Sequence, residues 1–414
     1  MKFCIHRGTK EIGGTCVELE HEGKRLVLDL GVPLDAPGAA PHLLPPAPGF
    51  RGHDPSLLAV VLSHPHQDHY GLARLLPDGV PLAMGAAAER IIAAAAAFVP
   101  DGVPLTAAHH LADRVPLELG PFRITPFLVD HSAFDAYALL IEAGGRKLFY
   151  TGDFRGHGRK AALFDRLLAT PPADVDVLLL EGSTIGRLAP AEAFPTEADV
   201  EADLAALARQ TAGPLLVCAS AQNIDRMVTL FRAARRSGRA LVVDLYAAAI
   251  LEATGRQTIP QSDWDGVHLF VPEWQRRRIK RAGLFDLLHR HDRNRIYRER
   301  LGDVARRAIF LFRPSLAADL EAARCLDGAC VVWSQWGGYL KDPAYAPFVE
   351  WKDRLGLPLV SLHTSGHASV ADLQRLAQAV AARRVVPIHS FETARYGEFF
   401  DNVTPCNDGE WWDA

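Results

Sequence analysis

Ser63-His64-Pro65-His66-Gln67-Asp68-His69-Tyr70-Gly71 sets three histidines and an aspartate within six residues, directly after the apolar run Leu57-Leu58-Ala59-Val60-Val61-Leu62. A short apolar run closed by polar residues reads as a buried strand, so the cluster sits at a strand's end. His64 and His66 are two apart and point the same way on extended backbone, whereas Asp68 and His69, where the chain turns toward a helix, reach a second position nearby. Imidazole nitrogens and a carboxylate this close together form a divalent-metal site, and one stretch can serve two ions. A polar loop that happens to be rich in histidine is the alternative.

Around this stretch the rhythm of the chain changes twice. The runs Thr15-Cys16-Val17-Glu18-Leu19 and Arg25-Leu26-Val27-Leu28-Asp29 flank Glu22-Gly23-Lys24 and read as a hairpin. Further strands end near His131 and Asp153. From about Thr196, strands such as Pro214-Leu215-Leu216-Val217-Cys218 alternate with helical segments, which implies a parallel sheet with covering helices. The last part, with Val385-Val386-Pro387-Ile388, is again strand, loop, helix and strand. A chain of 414 residues is long for one core. The expected division is 1–195 and 346–414 as two parts of one domain, with 196–345 inserted between them.

Composition narrows the function classes. With 49% hydrophobic and 23% charged residues the chain is globular, and a net charge of −4 gives no overall pull toward nucleic acid. The charge is uneven, however: residues 276–313 hold 13 Lys/Arg against 4 acids, a local +9 against −13 elsewhere. That segment is either a phosphate-binding face or a solvated helix face. Six cysteines without a C-x-x-C pair suggest free thiols in a reducing, cytoplasmic compartment. No leader or membrane span is recognisable, so no membrane association is expected.

Asp29, His131, Asp153 and His389 each stand at the end of an apolar run. The ordered series Asp29, His64-x-His66-x-Asp68-His69, His131, Asp153 resembles the metal motifs of the metallo-β-lactamase superfamily. The implied fold is α/β: an αβ/βα four-layer sandwich carrying two Zn2+, with Mn2+ as the other candidate. By that resemblance His64, His66 and His131 hold one zinc; Asp68, His69 and His389 hold the second, and Asp153 bridges. Leu180-Glu181-Gly182, His363-Thr364-Ser365-Gly366-His367 and Pro387-Ile388-His389 are similar to the acidic, S-G-H and P-x-H motifs of β-CASP nucleases of the ribonuclease J type. Ala219-Ser220-Ala221-Gln222-Asn223 resembles the start of their inserted α/β β-CASP domain.

This resemblance implies a zinc-dependent ribonuclease that cleaves RNA phosphodiester bonds with a hydroxide activated by two metals. It gives catalytic work to Asp68, His367, Glu181 and Asp29: Asp29 orients a ligand or the nucleophile, Glu181 keeps a site histidine in register, and His367 donates to the phosphate or the leaving oxygen. His363, Ser365 and His367 are the implied substrate contacts. The histidine of P-x-H marks RNA-processing members, so RNA is the expected partner. A chain ending soon after that motif is expected to lack the family's C-terminal domain, which puts the family's dimer and tetramer assembly in question and leaves a homodimer as the candidate assembly. Ser390-Phe391-Glu392 departs from the usual Gly-Glu, and Ser334-Gln335-Trp336-Gly337-Gly338-Tyr339 matches no phosphate-binding pattern. Two other readings stand beside the first: a metallo-hydrolase of a smaller substrate such as a cyclic nucleotide, thioester or lactone, and an inactive nucleic-acid-binding partner.

Overall fold

Two β-sheets facing each other across an apolar layer form the metal-ligand-bearing part of the chain. The computed structural model describes residues 1–99, 102–187, 189 and 192–414. Its first compact unit comprises Met1–Ala96, Val103–Phe194 and Gly366–Ala414; the second comprises Ala97–Gly102 and Pro195–Ser365.

In the first unit, one seven-stranded sheet runs in the order Trp411–Asp413, Lys2–Arg7, Cys16–His21, Lys24–Leu28, Leu57–Val61, Leu82–Gly85 and His109–Leu111. A six-stranded sheet runs Arg384–Ile388, Val177–Glu181, Arg146–Tyr150, Tyr137–Ala143, Phe122–Leu128 and Leu117–Leu119. The expected hairpin closes through Glu22-Gly23, both at positive φ, with His21 paired to Lys24. That two-residue turn matches the right-handed twist of its strands.

Side-chain alternation builds the layers. On Tyr137–Ala143, Leu139 and Ile141 join Phe3, Leu19, Leu26 and Val61 between the sheets. Their neighbours Ala138 and Leu140 face the other way, onto Phe164, Leu373 and Leu376 of the helices Ala161–Ala169 and Val370–Val380. Across the sandwich, Val27, Val60 and Met84 pack outward against Phe50 and against Ile92 of the helix Ala86–Ala96. Both faces of both sheets are covered, so the strands read as continuous apolar runs. Each fully buried Leu, Ile or Phe contributes about 1.5–3 kcal/mol.

Lys24–Leu28 runs parallel to Leu57–Val61, and Arg146–Tyr150, Val177–Glu181 and Arg384–Ile388 are mutually parallel. Asp29, Ser63, Asp153, Glu181 and His389 therefore all lie at or just beyond the carboxyl ends of parallel strands, the usual place for a site on such a sheet.

The second unit is a seven-stranded parallel sheet in the order Arg295–Ile296, Val267–Phe270, Ala240–Val243, Ala308–Phe312, Leu215–Cys218, Cys330–Trp333 and Leu359–Ser361. Here the structure differs from the sequence division at 345, because Leu359–Ser361 pairs in parallel with Cys330–Trp333 and draws the chain up to Ser365 into the second unit. The arginine-rich segment also differs from a single solvated helix face. It spans the helices Glu273–Ala282, Phe285–Arg290 and Leu301–Ala305 and the strands Arg295–Ile296 and Ala308–Phe312. No helix among the described residues is long and apolar enough to cross a membrane.

Candidate metal centre

His66 is the last extended residue (φ −95°, ψ 144°) before the one-turn helix Gln67–Tyr70, which turns Asp68 and His69 away from the direction of the first two histidines. The turn is held from below by Gly31, where an added Cβ would lie 1.6 Å from the Asp68 carbonyl oxygen. Asp29 and His389 both adopt positive φ (58° and 54°). A non-glycine residue in that region costs of order 1–3 kcal/mol and persists only where its surroundings enforce it.

Among the described residues three overlapping groups result, each with one donor atom per residue and its donors within 4.8 Å of one another: His64, His66 and His131; Asp68, His69, Asp153 and His389; and His131, Asp153 and His367. Asp153 lies between the first two. Its Oδ2 is 3.7 Å from His64 Nε2, 3.2 Å from His69 Nε2 and 4.0 Å from His131 Nε2, while its Oδ1 is 3.7 Å from His389 Nε2.

The opposite ring nitrogens decide whether the set fits a metal. His131 Nδ1 donates to the Gly366 carbonyl (2.6 Å), His69 Nδ1 to Asp29 Oδ2 (2.8 Å), and His64 Nδ1 sits 3.0 Å from the Ser63 hydroxyl. His389 Nδ1 is 2.9 Å from Thr15 Oγ1, with the Gly13 N–H 3.3 Å from the same atom. With Nδ1 engaged, Nε2 is the atom turned inward. Nε2 of His64, His69 and His389 and Oδ1 of Asp153 are buried without a hydrogen-bond partner. His66 Nδ1 faces His131 Nε2 at 3.2 Å. Buried polar atoms are rarely left unmatched. A converging set of them, built from imidazole and carboxylate and braced from behind, fits divalent metal ions.

Electrostatics agree with this fit. Burial holds the His64 and His131 imidazoles well below their usual range, lowers His66 to about 4 and lowers His389 as well, so these rings are neutral and able to ligate. Burial opposes ionisation of Asp153 too, but His389, His69 and His367 outweigh it and hold the carboxyl well below the usual range. His69 is the exception: against burial, Asp153, Asp29 and Asp68 raise it well above the ordinary value.

Behind the ligands lies a hydrogen-bonded frame that the sequence motifs only partly foretell. Asp29 is fully buried and accepts from the Ser63 N–H (2.7 Å), the Ser63 hydroxyl (2.7 Å), His69 Nδ1 (2.8 Å) and the Tyr150 hydroxyl (2.6 Å). Ser63 could have been suspected, since it opens the histidine stretch. Tyr150 gives only a faint signal three residues before Asp153, and Thr15 gives none.

Glu181 accepts from the Phe154 N–H (3.0 Å), the Ser183 hydroxyl (2.9 Å) and His367 Nδ1 (3.1 Å). His367, partly exposed, also lies 3.7 Å from Asp153. Burial opposes its protonation, yet Glu181 and Asp153 raise it to about 9. The structure thus brings Asp29, His64, His66, Asp68, His69, His131, Asp153, Glu181, His367 and His389 together in one unit. His363 and Ser365 fall at the end of the second unit.

This double-sheet scaffold with a divalent-metal centre at the strand ends defines a metallo-hydrolase-type fold. Residues 24–218 match the beta-lactamase superfamily domain, so this part of the chain is similar to that domain. The chain is 30% identical over 252 residues to ribonuclease J of Mycobacterium tuberculosis, covering 56% of this chain and 42% of that protein. Against ribonuclease J of Mycolicibacterium smegmatis it is 28% identical over 244 residues, with the same coverage. The chain thus spans less than half the length of these relatives. A crystal structure of a protein of unknown function from Enterococcus faecalis V583 superposes with a TM-score of 0.76 over 99% of both chains at 20% identity, a likeness of fold.

Proposed function

We propose that the protein is a zinc-dependent ribonuclease that hydrolyses RNA phosphodiester bonds. The observation that carries this reading is the convergence of two ligand groups on Asp153, with Nε2 of His64, His69 and His389 and Oδ1 of Asp153 buried and unmatched. His64, His66 and His131 would hold one ion; Asp68, His69 and His389 the other, with Asp153 shared. Two divalent ions held so close would supply a nucleophile at neutral pH and positive charge for a phosphate oxygen.

The chain's own residues do the rest. Asp29 fixes the tautomer and direction of His69, and through the Ser63 hydroxyl that of His64. Because Glu181 takes the Nδ1 of His367, Nε2 is the nitrogen placed to donate to a phosphate oxygen or the leaving oxygen. RNA as substrate is proposed from similarity to ribonuclease J, with His363 and Ser365 as its contacts, and the cytoplasm as location from the free cysteines.

Metal-loaded protein should be incubated with labelled 5′-monophosphate RNA, matched DNA and bis-p-nitrophenyl phosphate. RNA cleavage is expected, and His367→Ala should lower it about 10²–10⁴-fold while both metals stay bound. Turnover of the small ester alone, or of nothing, would overturn the reading.

A further inference from the structure

The second unit carries a cationic cleft of its own, of about 290 Å³, at the edge of its parallel sheet. It is lined by Phe270, Arg276, Arg295, Tyr297, Arg298 and Glu299, among others. It lies where the edge strand Arg295–Ile296 pairs with the carboxyl end of Val267–Phe270, the end of a parallel sheet at which ligands bind.

The three arginines are not equivalent. Arg276 is neutralised by Glu273 (2.5 Å) and Asp319 (3.6 Å), and it donates to the Val271 carbonyl, so it forms a fixed wall. Arg295 and Arg298 have no carboxylate partner among the described residues. Arg295 Nε is buried without a hydrogen-bond partner, and its guanidinium lies 4.7 Å from the centre of the Tyr297 ring. Arg295 and Tyr297 are two apart and share a face, so the aromatic ring holds the guanidinium in place at little entropic cost. Tyr297 is itself 58% exposed. Glu299 is the one carboxylate among these lining residues, leaving the open part of the cleft with two unpaired guanidiniums against one acid.

An exposed aromatic ring beside two uncompensated guanidiniums combines a stacking surface with bidentate phosphate donors. Simple surface arginines would not need the cleft, the orphaned Nε or the stacked tyrosine. We propose that this cleft is a nucleoside-phosphate subsite: Arg295 and Arg298 take a phosphate, and the exposed part of Tyr297 stacks with the base. It lies wholly within the second unit and is built from other residues than the metal centre. The nucleoside phosphate is either one unit of a single-stranded RNA or a free nucleotide, and the test separates these sources.

Full-length, metal-loaded protein would be titrated over a series of salt concentrations with AMP and with an uncleavable 2′-O-methyl oligoadenylate of about ten nucleotides. The proteins compared are the wild type, Arg298→Glu, Tyr297→Ala and Arg295→Lys. For RNA as the source, Arg298→Glu should weaken the oligonucleotide at least tenfold and reduce the salt slope by about 0.7 for one lost phosphate contact. Tyr297→Ala should weaken it with the slope unchanged. For a free nucleotide, AMP binding is lost in the variants while oligonucleotide binding stays. Hydrolysis of bis-p-nitrophenyl phosphate should be unchanged throughout, so failure here is distinguishable from failure of the metal-centre reading. Arg298 and Tyr297 are exposed, and unfolding temperatures within a degree or two of wild type would show the variants folded; Arg295→Lys retains the charge while removing the stacked plane. If wild type binds neither probe, or the variants bind both as wild type does, the proposal is wrong.

Discussion

Asp29→Asn tests the metal centre without touching a proposed ligand. The native carboxylate accepts four hydrogen bonds in a fully buried position, two from Ser63 and one each from His69 and Tyr150. An amide keeps the shape but loses the charge and turns one acceptor oxygen into a donor, which then faces N–H or O–H groups. Losing a hydrogen bond to a charged acceptor costs about 1.5–3 kcal/mol. Because His69 hangs directly on Asp29 and His64 through Ser63, both ligand groups lose their brace. Altering such a support lowers metal affinity by about 10–100-fold, equivalent to about 1.4–2.7 kcal/mol. Competition with a chromophoric chelator measures the two affinities, and circular dichroism checks the fold. Tyr150→Phe, which removes one of the four bonds and keeps the carboxylate that holds His69 and Ser63, should lower metal affinity less than Asp29→Asn does. If the Asp29→Asn variant binds two metals as tightly as wild type, Asp29 does not orient the ligands, and the tautomer argument fails with it.

Three further outcomes are expected. Gly31→Ala puts a methyl group into the Asp68 carbonyl, so the metal-to-protein ratio measured by mass spectrometry should fall, and a full ratio would refute this role for the glycine. Glu18, buried between His6 (2.6 Å) and Arg25 (2.5 Å), has its pKa lowered from 4.5: burial opposes this, but both partners outweigh it. Its contribution is therefore fully present above pH 4.5 and lost as pH falls through the depressed value. Glu18→Gln should destabilise at pH 7 by about 3–5 kcal/mol, with the gap to wild type in urea unfolding narrowing only in acid. In the second unit, Arg226 is fully buried, pairs with Glu197 through two bonds (3.1 and 3.2 Å) and donates to the Ser334 carbonyl. Arg226→Met should cost about 3–5 kcal/mol by burying Glu197 without its guanidinium, whereas Arg226→Met with Glu197→Leu should recover most of that. A double variant no more stable than the single one would count against the pair being the cause.

The sequence by itself determined what depends on neighbours along the chain. His64, His66, Asp68 and His69 are legible because a strand followed at once by a helical turn fixes their directions within six residues. The alternation of apolar runs likewise exposed the parallel sheet of the insert, and the hairpin at Glu22-Gly23 followed from turn chemistry. Tertiary structure alone decided how strand ends converge. That Asp153 sits between both ligand groups, that Thr15 backs His389 and that Glu181 takes Nδ1 of His367 depend on which strands are parallel neighbours and in what register, and pairings across hundreds of residues leave no local signature. The same reason moved the boundary of the insert to Ser365, because edge pairing of Leu359–Ser361 is a property of the sheet. It also turned an undifferentiated run of arginines into one fixed wall, Arg276, and two unpaired guanidiniums, Arg295 and Arg298, since charge density is written in the chain but charge compensation is set by packing.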